Sequence, residues 1–161
     1  MFPLIVRTIR FANLLLTSLI AGMSFSRVLN PSVTRLPARV RIEYQQALDR
    51  DVAPVMGVLG PLVILTNAAN VLSFARSYRS PAFTSALGGL LGVVLFAVVT
   101  VRVEVPINEE LHSWSPEAPP PDWEEKLGRW ERGHRARTTA IVAGLSSLLL
   151  GAVRVGSDPL S

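Results

Sequence analysis

Four long apolar runs, separated by polar segments, dominate the chain. They lie at residues 11–29, 52–75, 82–104 and 136–154. Each is long enough to form the ~20 helical residues that cross the hydrocarbon core of a bilayer. The first run follows Arg7 and Arg10, as in a secretory signal, but it is too long for a typical signal core and three more runs follow. The pattern therefore predicts an all-α integral membrane protein, an antiparallel four-helix bundle made of one domain over residues 1–161.

The connecting segments define how the spans are arranged. The turn at residues 76–81 is short, so spans two and three must be antiparallel neighbours. Residues 38–51 carry apolar positions at helical spacing, and they are interpreted as an interfacial extension of span two rather than a lid over a substrate. Four spans place both termini on the same side of the membrane.

Small and amide residues inside the spans predict close packing. Asn67 and Asn70 share a face of span two, where interhelical hydrogen bonds are favoured over contacts with a ligand. Small residues recur on one face of span three and one face of span four, as is typical of helices in close contact: Gly88, Gly89 and Gly92, and Gly144, Ser147 and Gly151.

Residues 105–135 form a polar segment, rich in tryptophan and proline, between spans three and four. Three consecutive prolines at 119–121 precede acidic residues, which is a typical helix start, and the helix can run directly into span four. Trp130 and His134 are four residues apart on that helix, and Arg137 lies one turn further on. The segment is therefore predicted to be a helical polar loop.

The exit of span three faces the entry of span four. Glu104 and Asn108 are four residues apart and share a helical face. Because the two spans are antiparallel neighbours, we expect Glu104, Asn108, Trp130, His134 and Arg137 to lie close together. Ionisable residues near the bilayer midplane indicate a functional site by default, but these residues lie near the interface, where burying a charge costs much less. A functional and a structural role for His134 therefore both stay open.

Composition narrows the classes of function. The chain has no cysteine, which excludes disulfides and thiolate chemistry. The net charge is +4, but the arginines stand singly at the ends of apolar runs, so the expected partner is the lipid bilayer and not nucleic acid.

The distribution of lysine and arginine predicts an orientation. Five of the sixteen lie near the termini or in the turn around Tyr78, and the other eleven lie in or beside the two longer loops. The positive-inside rule then places loops one and three in the cytoplasm.

Common catalytic and metal-binding motifs are absent. There is no phosphate-binding glycine loop, HExxH or GxSxG. A metal site would have to combine His134 with His112 or nearby carboxylates, and the two histidines lack helical ligand spacing. No organic cofactor and no metal ligands are predicted, and the metal content is left open.

Two short motifs resemble a known family. The P-x-N element at residues 106–108 and the R-W-x-x-x-H-x-x-R element at 129–137, together with Ala21-Gly22 and Pro31, are similar to the anthrone oxygenase-like family of small four-helix membrane proteins. The likeness extends over nearly the whole chain. It implies a four-span fold and, from some fungal members, oxidation of a polyketide anthrone by dioxygen without an evident cofactor.

The resemblance suggests roles for the clustered residues. His134 would be the base that removes a proton from the acidic methylene of an anthrone. Asn108 and Arg137 would donate hydrogen bonds to the developing phenolate. Trp130 would stack on the aromatic rings, and Glu104 would complete the substrate site. The partners would be a small aromatic substrate and dioxygen.

A second interpretation is a non-enzymatic protein that binds a lipid, a quinone or a partner subunit. In that case Glu104 pairs with Arg137 or Arg102, His134 bonds a backbone carbonyl, and Asn108 caps span three. A cavity lined by His134, Asn108 and Trp130 would favour chemistry, whereas a filled and fully paired cluster would favour a structural role. The sequence is compatible with an oligomer.

Overall fold

The computed structural model describes residues 2–156 as four long helices with short connections. The α-helices are α1 (Phe2–Val28), α2 (Ala38–Ser73), α3 (Pro81–Val99), α4 (Val105–Leu111) and α5 (Trp123–Gly156). A π-helical turn, Thr100–Glu104, joins α3 to α4, and short 3₁₀ segments (Pro31–Arg35 and Ala75–Ser77) follow α1 and α2. Four helical stretches are long and apolar enough to cross a membrane: Leu4–Val28, Ala38–Ser73, Pro81–Leu111 and Trp123–Arg154. The prediction of an all-α four-helix membrane bundle is confirmed.

Two of the helices are longer than a bilayer requires. α2 has 36 residues and α5 has 34, whereas about 20 are enough to cross the hydrocarbon core. The polar segment before span two belongs to α2 without interruption, and α2 also contains Pro54 and Pro61. α5 begins at Trp123, two residues after the last of the three prolines. Glu124 and Glu125 lie in its first turn, where carboxylates interact favourably with the helix dipole. Both helices therefore extend the bundle at the end where the two longer connections lie, residues 29–37 and 112–122.

α3 and α5 pack most closely, through their small residues. A Cβ atom added to Gly92 would lie 2.6 Å from the carbonyl oxygen of Ala140 and 2.7 Å from Cα of Gly144. Gly88 and Gly89 face Ser147 and Leu148 in the same way. The small residues thus allow the two backbones to approach, as predicted.

Apolar contacts occur both inside the spans and outside them. The membrane core consists of residues from all four long helices: Ile20, Ala21, Val63, Val93, Phe96 and Ile141. A second cluster, Ile42, Leu111, Trp114 and Leu127, fixes α4 and the following loop against the extensions of α2 and α5. Between α1 and α2, Asn67 Nδ2 donates to Thr17 Oγ1 at 3.2 Å, which confirms the predicted interhelical hydrogen bond for Asn67.

The bundle has two chemically different ends. We call the end with the connections at residues 29–37 and 112–122 the loop end. The opposite end, where α1 begins, α5 ends and the turn at residues 74–80 lies, is called the terminal end. All eleven acidic residues among residues 2–156 lie at 43–51 or 104–131, in the loop half of the bundle.

Candidate functional site

The π-helical turn is the local feature that builds the site. Pro106 follows this turn, and a proline has no N–H with which to continue the regular helical ladder. The N–H of Val105 instead bonds back to the carbonyl of Thr100, which closes the wider turn. Thr100 and Glu104, the first and last residues of the turn, both point toward α5. Such π turns are rare and occur frequently at functional sites.

Glu104 forms an ion pair with Arg137 across the interface between α3 and α5. Nε of Arg137 lies 2.7 Å from Oε1 of Glu104, whose residue surface is only 2% exposed. Arg137 also donates from Nη1 to Thr100 Oγ1 at 2.9 Å, and its guanidinium lies over the ring of Phe96. The arginine is therefore held by three residues of α3 and the π turn.

His134 lies beside this ion pair and is 4% exposed. Its Nε2 is 3.0 Å from the carbonyl oxygen of Ser24 on α1, and its Nδ1 is 3.2 Å from Nη2 of Arg137. A carbonyl can only accept and a guanidinium can only donate, so these partners assign the neutral tautomer with the proton on Nε2. The lone pair on Nδ1 is then the basic position. Oε1 of Glu104 is 3.3 Å from Nδ1 and can stabilise a proton placed there.

Trp130 connects the histidine to a second set of charges. Its ring stacks on His134, with centroids 4.9 Å apart and planes 10° from parallel. Arg27 of α1 lies over the same indole and forms an ion pair with Glu131. Arg41 of α2 approaches Glu131 at 3.8 Å. Trp130 Nε1 is buried and has no hydrogen-bond partner.

We use the name His134 cluster for Thr100, Glu104, Trp130, His134 and Arg137. Four of the five residues predicted to meet are in this cluster: Glu104, Trp130, His134 and Arg137. The ion pair between Glu104 and Arg137 and the hydrogen bond from His134 to a backbone carbonyl are also the contacts that the non-enzymatic interpretation predicts. The two clefts that stand out among residues 2–156 are lined by other residues, and the side chains of the cluster fill the space around Nδ1.

Asn108 lies apart from the His134 cluster. Its Nδ2 donates to Oδ1 of Asp49 on α2 at 2.5 Å, and His112 Nε2 is 2.8 Å from the other oxygen of Asp49. Asn108 is one helical turn beyond Glu104 toward the loop end, where the extension of α2 supplies a competing partner. It therefore joins α4 to α2 and makes no hydrogen bond to the cluster.

Sequence reasoning missed several members of the site. Ser24 contributes only its backbone carbonyl, which no side-chain pattern indicates. Thr100 could have been found, because a hydroxyl residue four positions before Glu104 lies on the same helical face. Arg27, at the end of α1, is buried against Trp130 and Glu131, and no spacing pattern in the sequence connects it to them.

The outer edge of the loop end carries exposed charges. Lys126 pairs with Asp122 at 2.9 Å and with Glu110. The hydrogen bond from Lys126 lowers the pKa of the Asp122 carboxyl below its ordinary value. Among residues 2–156, no group of three or more histidine or acidic side chains is arranged to hold a metal ion.

Comparison with known families identifies the chain. The model of the anthrone oxygenase family matches residues 53–147, which is more than half of the sequence. The chain belongs to the anthrone oxygenase family. The match contains every residue of the His134 cluster, whereas Ser24 and Arg27 of α1 lie outside it. No curated protein and no solved structure matches the chain significantly.

Proposed function

We propose that this member of the anthrone oxygenase family is a membrane oxygenase that uses His134 as a base on an anthrone-like phenolic substrate. The observation that carries the proposal is the π turn, which places the Glu104 carboxylate next to a buried histidine whose Nδ1 would act as a base once Arg137 moves away from it. Family membership supports the type of reaction.

The cost of burying this cluster supports a functional role. Glu104 and His134 are almost completely buried, and the Arg137 side chain, which lies against Glu104, His134 and Phe96, is only 12% exposed. Buried ion pairs can often be replaced by apolar side chains without loss of stability, because removing the charges from water is costly. Ionisable groups inside a membrane bundle are retained mainly where they act on a ligand or a proton.

The chemistry requires one base and one oxyanion donor. Nδ1 of His134 accepts a proton from the methylene between the two aromatic rings, and Glu104 stabilises the imidazolium. Arg137 transfers its hydrogen bond from Nδ1 to the phenolate oxygen that forms. The carbanion adds dioxygen at the same carbon, and the resulting hydroperoxide loses water to give a carbonyl. One substrate molecule and one O₂ become one quinone and one H₂O. The four electrons that reduce O₂ all come from the methylene carbon of the substrate, so no organic cofactor is needed.

The contacts modify two of the roles suggested by the sequence. Trp130 stacks on His134 in this conformation, so we assign it the role of holding the imidazole rather than the substrate. Asn108 bonds Asp49, and we assign the oxyanion role to Arg137 alone. Substrate must displace the guanidinium from Nδ1, and this exchange is the event that opens the site.

A non-enzymatic function is the second candidate, because both ring nitrogens of His134 have partners and the cluster is filled. In that case the cluster would join α1, α3 and α5 in a protein that binds a lipid, a quinone or a partner subunit. We further propose that loops one and three face the cytoplasm, because most of the lysines and arginines lie in or beside them.

Oxygen uptake by the purified protein with emodin anthrone tests the proposal. We expect uptake above the spontaneous rate, lost in His134→Ala and retained in His112→Ala, since His112 is an exposed histidine paired only with Asp49. Metal analysis of the same preparation determines whether a metal takes part. Equal uptake by the wild type and His134→Ala would remove the histidine from the mechanism, and no uptake with several anthrones would favour the non-enzymatic candidate.

A further inference from the structure

The turn between α2 and α3 forms a shallow depression on the surface of the terminal end. Five consecutive residues, from Arg76 to Ser80, line it, and it holds about 290 Å³ of space that water can enter. The depression is broad and open, so a ligand can reach its lining without any movement of the helices. Nothing in the proposed oxygenase reaction uses it.

Local hydrogen bonds hold the backbone of this turn. The N–H of Ser77 donates to the carbonyl of Phe74 at 2.9 Å, and the N–H of Ser80 donates to the carbonyl of Ser77 at 2.8 Å. Ser80 then caps α3, because its Oγ accepts a hydrogen bond from the N–H of Phe83 at 3.2 Å. A hydroxyl that accepts in this way can still donate its own hydrogen to a ligand. The depression is therefore formed before a ligand binds, which lowers the entropic cost of binding.

The terminal end carries positive charge without acidic residues. Five arginines lie at this end: Arg7, Arg10, Arg76, Arg79 and Arg154. Among residues 2–156, no aspartate or glutamate lies in this half of the bundle, so no carboxylate is near the two arginines of the depression. The guanidinium of Arg79 lies over the ring of Tyr78, 5.3 Å from the ring centroid, and this contact supplies no counter-charge. Two cations without an anionic partner therefore line one depression.

The depression lies where two membrane spans end. Leu72, in the last turn of α2, is 73% exposed, and Leu91 of α3 is 54% exposed. The surface beside the turn is therefore apolar and suited to lipid chains. Tyr78 is 59% exposed, and tyrosine at the end of a span is typical of the head-group level of a bilayer. The anions found at this level are the phosphates of lipids.

We propose that this depression binds the head group of an anionic phospholipid. The phosphate pairs with Arg76 and Arg79, whose guanidinium groups can each donate two parallel hydrogen bonds to phosphate oxygens. The hydroxyls that line the depression, those of Ser77, Tyr78 and Ser80, donate to the same group. The acyl chains extend along the exposed apolar side chains of α2 and α3. The proposal is independent of the oxygenase function and of the side of the membrane that the loops face.

Charge and apolar contact together select this class of ligand. A phosphatidylcholine head group carries a quaternary ammonium beside its phosphate, and the two arginines repel that ammonium. A soluble phosphate matches the arginines, but it gains nothing from the apolar surface at Leu72. An anionic phospholipid satisfies both the charge and the apolar surface.

Native mass spectrometry of the full-length protein with added lipids tests the assignment. Phosphatidylglycerol and phosphatidylcholine with identical acyl chains would be compared, together with soluble glycerol phosphate as a free head group. We expect phosphatidylglycerol to bind about tenfold more tightly than phosphatidylcholine, a difference of one decade in Kd. Equal binding of the two lipids would overturn the proposal, and glycerol phosphate that bound as tightly as the lipid would overturn the lipid assignment.

Two double variants separate binding at the turn from general attraction to the arginines. Arg76→Gln combined with Arg79→Gln should remove most of the preference for phosphatidylglycerol. Arg7→Gln combined with Arg154→Gln, which removes the same charge from exposed positions of the same end outside the depression, should retain it. All four side chains are exposed, so we expect both variants to fold. An equal loss of preference in the two variants would mean that the whole positive end attracts anionic lipid, and it would overturn the assignment to the turn.

Discussion

Nδ1 of His134 lies 3.3 Å from Oε1 of Glu104, although the two residues belong to different helices and are separated by a long polar loop. The same carboxylate oxygen is 2.7 Å from Nε of Arg137. The buried carboxylate of Glu104 therefore lies next to two basic side chains: Arg137, which is always charged, and His134, which becomes a cation when it accepts a proton. This arrangement makes Glu104 the residue on which both the stability and the proposed chemistry of the cluster depend.

Glu104→Gln should destabilise the protein strongly. The substitution leaves the Arg137 guanidinium in the interior without its counter-charge, and breaking a buried pair in this way costs about 3–5 kcal/mol. Thermal unfolding in detergent measures the loss. Glu110→Gln is the matched control, because Glu110 is an exposed carboxylate that pairs with Lys126, and surface pairs contribute about 1 kcal/mol or less. Similar melting temperatures for the two variants would show that the buried pair contributes little.

The hydrophobic pattern was sufficient to predict the four helices, because each span must bury its backbone polar groups in its own hydrogen bonds. It could not predict the π turn. Pro106 signals an interruption of the ladder, but proline can also kink a helix or end it. The contacts that Thr100 and Glu104 of the turn make with Arg137 come from α5, which the local sequence does not reveal.

The partner of Asn108 depended on the length of a helix elsewhere in the chain. The position of Asn108 one turn after Glu104 predicted a shared site, and the two residues do project from neighbouring turns. However, α2 starts early enough to bring Asp49 next to Asn108. Local spacing defines which face a residue occupies, but the competing partner comes from tertiary packing.

Trp130→Phe should retain nearly wild-type stability, whereas Trp130→Ala should lower the free energy of unfolding by about 3–5 kcal/mol. The indole N–H has no hydrogen-bond partner, so phenylalanine removes an unsatisfied donor and keeps an aromatic ring against His134. Alanine leaves a cavity beside the imidazole and Arg27. Denaturation in mixed detergent compares the two variants, and a large loss in Trp130→Phe would indicate that the indole nitrogen has a partner.

Asp122 should titrate below the usual range for aspartate, because Lys126 donates a hydrogen bond to its carboxylate. A depressed pKa in the folded state adds stability that is fully present above the pKa of the unfolded chain. That stability is lost as the pH falls through the folded-state pKa. Carboxyl chemical shifts recorded from neutral to acid pH measure the midpoint. Lys126→Gln should raise the midpoint toward the ordinary value, and an unchanged midpoint would exclude Lys126 as the cause.

The hydrogen bond from Asn67 to Thr17 should appear as a coupling energy between substitutions at the two positions. Neither substitution alone should cause a large loss of stability. Asn67 Oδ1 is buried without a partner, so Asn67→Leu removes an unsatisfied acceptor together with the hydrogen bond. A double-mutant cycle with Thr17→Val should give a coupling of about 0.6 kcal/mol, typical of membrane helices. The control cycle uses Thr66→Val, whose hydroxyl bonds only carbonyls of its own helix. A coupling of the same size in the control would mean that the hydrogen bond is not its source.

The packing of α3 against α5 predicts opposite effects for two glycine substitutions. In Gly92→Ala the new methyl group would overlap backbone atoms of Ala140 and Gly144, and overpacking of this kind costs about 1–3 kcal/mol. In Gly60→Ala the methyl group meets no atom within 4 Å, and alanine is favoured over glycine inside a helix by about 0.5–1 kcal/mol. Thermal unfolding should therefore show a lower midpoint for Gly92→Ala and an equal or higher one for Gly60→Ala. A midpoint for Gly92→Ala equal to or above that of the wild type would show that helix propensity outweighs the overlap between the backbones of α3 and α5.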